Sequence, residues 1–332
     1  MKIFGIQNFN NIYLGNNQKI NQKGSLLNAP NNDIFVKTNQ INFTGAQDKD
    51  QKKMASFSKD VLMMYHMGTF TVPQVEKVVH KYLPNLQVRS MSNLPEEYRY
   101  SKNLRGLYFS EVAIDQQTKR AISPKEKEAI YVTPVSNNSP EEVLFSCANL
   151  VHEFTHANQT HNPQKSELTV INKYLSKNSN NLDKAIEIVG NTMQFRNTVE
   201  EKTRAPMIDY LCKDTCMVNR YSVLRNVDKK ATFKKVYENA DIDNFEEHFR
   251  KTFSEEFYKL KDSGLEVDSD FAISSMIAYC ENEIEAYTNE DEFIKTVLKG
   301  YIYKDLITDM RIMTYQESIK ILRRMLGKPL PR

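Results

Sequence analysis

The sequence predicts an α+β protein that is mostly α-helical, with a small N-terminal β-sheet, one central helix and a helical C-terminal half. Three observations lead to this prediction. The 332 residues include only 10 glycines and 11 prolines, the residues that most often interrupt helices. Two segments before residue 136 are rich in β-forming residues. Nearly everything after Ser166 has the apolar spacing of helices.

Composition and charge limit the class of protein. Hydrophobic residues make up 40% and charged residues 26% of the chain, values typical of a globular protein with a buried core. The formal net charge is only +3 and no block of Lys and Arg stands out, so we expect no nucleic-acid partner. No apolar run approaches the roughly 18–20 residues that span a bilayer. Residues 1–15 lack the apolar centre of a secretory signal. We expect a soluble cytoplasmic protein by default, with non-classical export as the alternative.

The four cysteines are too few for a disulfide scaffold in a chain of this length. Cys212 and Cys216 are one helical turn apart, which we interpret as two thiols on one helix face. As a second metal site they would need further ligands close by, and the sequence offers none there. Cys147 and Cys280 are interpreted as core residues.

The N-terminal residues 1–52 differ from the rest of the chain. The first 50 residues contain 11 Asn and 5 Gln but no Glu, and their apolar residues come in short isolated groups. Such a composition offers too little apolar surface to form a core, so we predict a disordered or loosely attached leader.

Residues 53–163 form the predicted α/β part. A helix is predicted around residues 61–65, and a second helix opens after Thr71 with Pro73 in its first turn. Alternation around residues 86–88 predicts a short strand.

Two further segments, residues 105–115 and 128–135, predict the strands of a hairpin, because both are rich in β-branched and aromatic residues and a polar connection separates them. Pro134 indicates that the second strand ends there or lies at the edge of a sheet.

The α/β part closes with a central helix. Ser139 and Pro140 suit the N-cap and first turn, and Pro163 disfavours helix in the residue before it. Residues 164–332 form the predicted helical part. Its candidate helices are residues 166–177, 181–204, 206–225, 231–240, 243–262, 269–298 and 315–326.

The central helix carries a His-Glu-x-x-His motif at residues 152–156. His152 and His156 are one turn apart on the same face, so their imidazoles can converge on one metal ion. Glu153 is rotated by about 100° from His152 and can flank a metal-bound water without binding the metal. The flanking residues are uncharged, as a buried metal-binding helix requires. The alternative is a core helix with two incidentally spaced histidines.

This helix resembles the active-site helix of the zincin superfamily of metallopeptidases, and the strand at residues 128–135 loosely matches the sheet that precedes it. The resemblance implies a zincin-like fold, zinc as cofactor, His152 and His156 as ligands and Glu153 as catalytic base.

The zincin branches differ in the third metal ligand. The metzincin branch requires Gly and His where Gln159 and Asn162 stand, so this branch is excluded. His161 is out of register by one residue and lies about 140° around the helix from His156. The gluzincin branch instead takes a glutamate from a later helix.

The segment at residues 279–287 is the best match for that later helix. Many gluzincins carry a ligand glutamate with Ala three residues on, a register that implies Glu283 as ligand and Ala286 beside the histidines. Tyr287 then stands where an Asp, which would orient a ligand, is common. This difference is a departure from the family pattern.

Other carboxylates stay open as third ligand. A thermolysin-like register implies Glu285 with Asn289 behind it, and Glu281 is a third choice in the same segment. The long separation from His156 also leaves rivals on intervening helices, namely Glu187, Glu200 and Glu201.

These residues predict a zinc metallopeptidase that hydrolyses a peptide or protein substrate. The group that stabilises the transition state stays open among Tyr279, Tyr287 and His248, and the strand at residues 128–135 is expected to offer an edge to an extended substrate. One alternative is a toxin-like or effector protease of narrow specificity. Another is a non-enzymatic helical interaction protein with a structural histidine pair or an inert zinc. The sequence does not indicate the oligomeric state.

Overall fold

The computed structural model describes residues 2–7, 49–94, 106–115, 117–135, 140–162, 165–211, 241–298 and 306–330. Within these ranges the chain is α+β and mostly helical, as predicted. The strands are β1 (Lys2–Gln7), β2 (Gln87–Ser90), β3 (Gly106–Ile114), β4 (Ala121–Ile122) and β5 (Glu128–Val132). The helices are α1 (Lys49–His66), α2 (Val72–His80), α3 (Pro140–Thr160), α4 (Glu167–Lys177), α5 (Leu182–Leu211), α6 (Ile242–Asp262), α7 (Ser269–Val297) and α8 (Leu306–Met325).

The strands form one mixed sheet in the order β1-β3-β5-β2, with β4 paired to β3. β3 and β5 are antiparallel, which confirms the predicted hairpin pairing, and β2 runs parallel to β5. β5 therefore has partners on both sides over its length. The expectation that this strand offers an edge to a substrate is wrong, because the distant segment at Gln87–Ser90 pairs with it. Pro134 follows the end of the strand, as the other interpretation required.

The predicted leader contains regular structure at both ends of its range. β1 pairs antiparallel with β3, with Ile3 opposite Val112. Helix α1 begins at Lys49, before the predicted boundary at residue 52. The remainder of this range lies outside the described residues.

Helix α3 packs against the sheet on one side and against α1 and α7 on the others. Its sheet-facing side meets Tyr108 and Ile130 in a shared apolar core. Its other side stacks Phe154 on Phe57 of α1, with ring centroids 3.6 Å apart. A helix enclosed in this way is held in a fixed position and rotation, which the geometry of a metal site demands.

A second core joins α5, α6, α7 and α8. On α6 the residues Phe245, Phe249, Phe253 and Phe257 recur every fourth position and form one buried stripe. Helix α7 belongs to both cores. Its Phe293 joins the core around α3, whereas residues nearer its N-terminus join the second core, where α7 packs on α8. Helix α7 therefore carries side chains of the helical part to the motif helix.

The predicted helix bounds agree closely for α4, α6 and α7. Helix α5 runs on to Leu211, past the predicted break near residue 204, and α8 begins at Leu306, not at residue 315. Helix α5 continues past Pro206, a residue that usually ends a helix, so local propensity did not decide that boundary. The predicted helix at 231–240 and most of that at 206–225, with Cys212 and Cys216, lie outside the described residues.

Candidate metal centre

Three side chains from two helices converge in the interior. Nε2 of His152 lies 3.0 Å from Nε2 of His156. The Glu283 carboxylate of α7 lies 3.5 Å from the His156 nitrogen and 3.9 Å from the His152 nitrogen. The potential ligand atoms all lie within 4.8 Å of one another, so the group could hold a metal ion.

The other nitrogen of each imidazole also has a polar neighbour. Nδ1 of His152 lies 3.1 Å from the carboxylate of Glu290, which is almost fully buried. Nδ1 of His156 lies 3.0 Å from the side-chain oxygen of Gln159. An acceptor at Nδ1 places the proton there and leaves Nε2 available to a metal, and it also fixes the rotation of each ring.

Gln159 links the motif helix to α7. Its Nε2 donates to the backbone oxygen of Asn282 and to the carboxylate of Glu285, at 3.0 and 3.1 Å. Lys165 donates to the other oxygen of Glu285 at 2.7 Å. The Glu285 carboxylate is thus engaged away from the histidines.

The remaining carboxylate candidates also lie apart from the histidines. Glu281 pairs with Arg323 on the protein surface. Asn289, the residue expected behind Glu285, donates to Thr155 of α3. Glu187 and Glu201 are exposed on α5, whereas Glu200 is buried on that helix. Among the described residues, the group that could hold a metal ion contains Glu283 and none of these other candidates.

Glu153 points from the same helix toward the sheet. Its Oε2 accepts a hydrogen bond of 2.7 Å from the backbone N–H of Tyr108 on β3. Its Oε1 lies 3.3 Å from Nδ2 of Asn149, one turn earlier on α3. Asn149 itself packs against Gly106, where a Cβ would lie 2.1 Å from its side-chain oxygen. The glycine lets α3 approach β3 closely enough for this contact.

Burial and charge act on the two histidines in opposite ways. Burial alone would lower the pKa of His152, but the contact with Glu290 and the negative charges of Glu153 and Glu283 raise it. Burial, together with the charge of His152, holds the pKa of His156 well below its usual value. Of the two imidazoles, His152 is therefore the one whose surroundings favour the protonated form.

The group is enclosed. Relative exposure is 0% for His152 and Glu153, 1% for Glu283 and 3% for His156. Ala286, three residues after Glu283 on α7, is fully buried. A molecule that reacts at this group needs a displacement of the surrounding protein to reach it.

The residues proposed to stabilise a transition state lie in different places. The Tyr287 ring meets the His152 ring edge-on, with centroids 4.5 Å apart. Tyr279 is buried one turn before Glu283 on α7. His248 lies half-buried on α6, a helix that packs on α5 and α8.

His161, considered from the sequence as a possible further metal ligand, does not face the group. Its Nε2 contacts the Glu128 carboxylate at 2.8 Å.

Three residues near the site were not predicted from the sequence, namely Glu290, Arg196 and Arg311. Glu290 had a signal, since its seven-residue spacing from Glu283 keeps both on one helix face. The two arginines had none, because they come from α5 and α8 and meet α7 only in the folded chain.

Comparisons with known proteins did not identify a relative of this chain. No family model, no curated protein and no solved structure matches this chain. In the part of the chain that the structure describes, no helix combines the length and the apolar character needed to cross a membrane. Inferences about function therefore depend on the chemistry of the site.

Proposed function

We propose that this chain is a zinc-dependent metallopeptidase in which His152, His156 and Glu283 bind zinc and Glu153 is the catalytic base. The observation that carries the proposal is that three side chains could bind a metal ion while a separate carboxylate, Glu153, lies beside them. Two imidazole nitrogens and one carboxylate point at a common centre, while Glu153 is held beside them by Tyr108. Three protein ligands with an adjacent carboxylate are the plan of a catalytic zinc site with an open fourth position.

The donor set and the charges both suit a divalent zinc ion. Zinc–nitrogen bonds are about 2.0–2.1 Å long, so one ion can contact nitrogens up to about 4 Å apart, and the two Nε2 atoms are 3.0 Å apart. Glu153, Glu283 and Glu290 bring three buried carboxylates to two imidazoles. This concentration of buried carboxylates around two imidazoles favours a bound cation.

A bound zinc ion supplies a water of lowered pKa and polarises the substrate carbonyl. The Glu153 carboxylate accepts the proton of the attacking water and then donates it to the leaving amine. The Tyr108 N–H and Asn149 hold that carboxylate in place. Glu290 and Gln159 fix the imidazoles for metal binding and take no part in proton transfer.

A second candidate function is a non-enzymatic helical protein with an inert metal. The burial of the whole group favours this candidate, since no substrate reaches a buried metal without displacement of the surrounding protein. It predicts a bound metal and no hydrolysis. The peptidase instead predicts that the surrounding protein opens during turnover.

The deciding experiment compares the wild-type chain with Glu153→Gln after zinc loading. Zinc content by elemental analysis should be about one ion per chain in both. Hydrolysis of a randomised peptide library should fall by about 10²- to 10⁴-fold in the variant, because the proton acceptor is lost. Glu281→Gln, at an exposed position, is the matched control and should match the wild type.

The outcomes separate the candidates. Substantial hydrolysis by Glu153→Gln rules out its role as base. Zinc without any hydrolysis by the wild type favours the inert metal. Hydrolysis of few library members, with casein left intact, indicates a protease of narrow specificity.

A further inference from the structure

Helix α7 places a tyrosine one turn before and one turn after Glu283. Tyr279 and Tyr287 are both buried. Each carries a guanidinium group over its ring, Arg196 over Tyr279 and Arg311 over Tyr287, both with 4.8 Å from Cζ to the ring centroid. The carboxylate proposed to bind metal is thus flanked by two cations of similar placement.

The two arginines differ in what neutralises them. Nη1 of Arg196 donates to the buried carboxylate of Glu167 at 2.5 Å, so this cation has its counter-ion. Arg311 donates from Nη1 to the Tyr287 hydroxyl at 2.8 Å. Among the residues that the structure describes, no carboxylate pairs with Arg311, although its relative exposure is only 9%.

A nearly buried guanidinium without a carboxylate is unfavourable for stability, because the tyrosine hydroxyl compensates a hydrogen bond but not the charge. The hydroxyl occupies one N–H of Arg311. A guanidinium has five N–H donors in a planar fork, which matches the two oxygens of a carboxylate. Arg311 is thus suited to bind an anion that no residue in the described part of the chain provides.

The position of Arg311 indicates which anion this is. Tyr287 contacts the ring of His152 as well as Arg311, so the guanidinium lies next to the metal-binding group. Its described contacts are with Tyr287 and not with the ligands themselves. The anion therefore belongs to the substrate close to, but not at, the scissile bond.

We propose that Arg311 binds a carboxylate of the substrate and so selects peptides that carry a negative charge near the bond to be cleaved. The inference depends on the proposed peptidase function. The carboxylate has two sources, the free C-terminus of a peptide or an acidic side chain. Both are recognised by the same paired hydrogen bonds from the guanidinium.

The test uses three pools of N-acetylated peptides of equal length on the zinc-loaded, full-length protein. The first pool has uncharged side chains and a free C-terminus. The second is its C-terminal amide, without charge. The third is amidated and contains one Glu. The wild type should cleave the first or the third pool about 10- to 100-fold faster than the second, the factor that a hydrogen-bonded charge confers.

Substitutions in α8 test whether Arg311 causes this preference for charged peptides. Arg311→Gln should abolish it, and Arg311→Lys, which keeps the charge but not the fork, should retain part of it. Arg323→Gln is the matched control, because Arg323 lies on the same helix and pairs with Glu281 at the surface. It should leave the preference unchanged. Zinc content and circular dichroism establish whether each variant folds; if Arg311→Gln does not fold, Arg311→Lys decides.

A binding measurement separates this inference from the peptidase function. The zinc-loaded Glu153→Gln protein should bind fluorescent peptides of the preferred pool more tightly than the amide pool, and Arg311→Gln in that background should remove the difference. Equal cleavage and equal binding of all pools overturns the role of Arg311 and leaves the peptidase intact. Charge-selective binding that depends on Arg311, without cleavage by the wild type, supports Arg311 and counts against the peptidase.

Discussion

The carboxylate of Glu290 lies 3.1 Å from Nδ1 of His152, on the side of the ring that faces away from His156. Glu290 follows Glu283 by two turns of α7. One helix therefore provides both a potential metal ligand and the acceptor that orients a second ligand. The gluzincin register predicted a carboxylate one turn after Glu283, where this chain has Tyr287. Glu290, about one turn further along α7, contacts His152 instead.

We expect Glu290→Gln to weaken zinc binding about 10- to 100-fold, the usual effect of removing a carboxylate that orients a ligand histidine. The amide keeps the size of the side chain but loses the negative charge beside the imidazole. Competition with a chromophoric chelator measures the affinity. Glu292→Gln, at an exposed position that pairs with Lys295, should have the wild-type affinity. An unchanged affinity in Glu290→Gln would show that the contact is not needed to orient His152.

The motif helix could be predicted from the sequence because its geometry is local. The spacing of His152 and His156 determines their common face once the segment is helical, and the same argument places Glu153 beside them. The choice between Glu283 and Glu285 depends instead on how α7 is rotated against α3. Packing between distant segments sets that rotation, so the sequence alone left it open.

The third ligand is tested by a pair of alanine variants. Glu283→Ala should lose most of its zinc, since it removes the carboxylate that faces both histidines. Glu285→Ala should keep about one zinc per chain, because this carboxylate contacts Gln159 and Lys165. Elemental analysis after gel filtration gives both contents. Loss of zinc in Glu285→Ala alone would move the ligand to that residue.

The fold shows the same division between local and distant information. Helices α4, α6 and α7 follow from helical periodicity, and the β3–β5 pairing follows from two β-rich segments close in the chain. The parallel pairing of Gln87–Ser90 with β5 joins segments about 40 residues apart and left no local signal. For this reason the prediction that the strand at residues 128–135 offers an edge to a substrate was wrong.

Zinc binding should depend on pH in a defined direction. In the metal-free protein His152 has a raised pKa and His156 a lowered one. Zinc must therefore displace a proton from His152 at any pH below that raised pKa. The apparent affinity should fall by about tenfold per pH unit as the pH drops through this range, and should level off above it.

Glu290→Gln provides the control for this pH dependence, because its carboxylate is one cause of the raised pKa of His152. In that variant the decline of zinc affinity should begin at a lower pH than in the wild type. Chelator competition across a pH series measures both curves. A decline that begins at the same pH in the two proteins would exclude the Glu290 contact as the cause.

A substitution at Gly106 tests whether the close approach of α3 to β3 requires a glycine. A Cβ at this position would lie 2.1 Å from the Asn149 oxygen and 3.2 Å from the backbone oxygen of Tyr131. Gly106→Ala must therefore displace Asn149 or separate the helix from β3, and we expect it to lower the free energy of unfolding by about 1–3 kcal/mol. Urea denaturation gives this value.

Gly190→Ala is the matched control, because Gly190 lies inside α5 with no atom within 4 Å of a Cβ. Alanine there should be neutral or stabilising by up to about 1 kcal/mol, since it favours the helix over the unfolded chain. Combining Gly106→Ala with Asn149→Ala removes the colliding side chain and should recover part of the lost stability. If the double variant is no more stable than Gly106→Ala, the cost arises at the Tyr131 oxygen and not at the contact that supports Glu153.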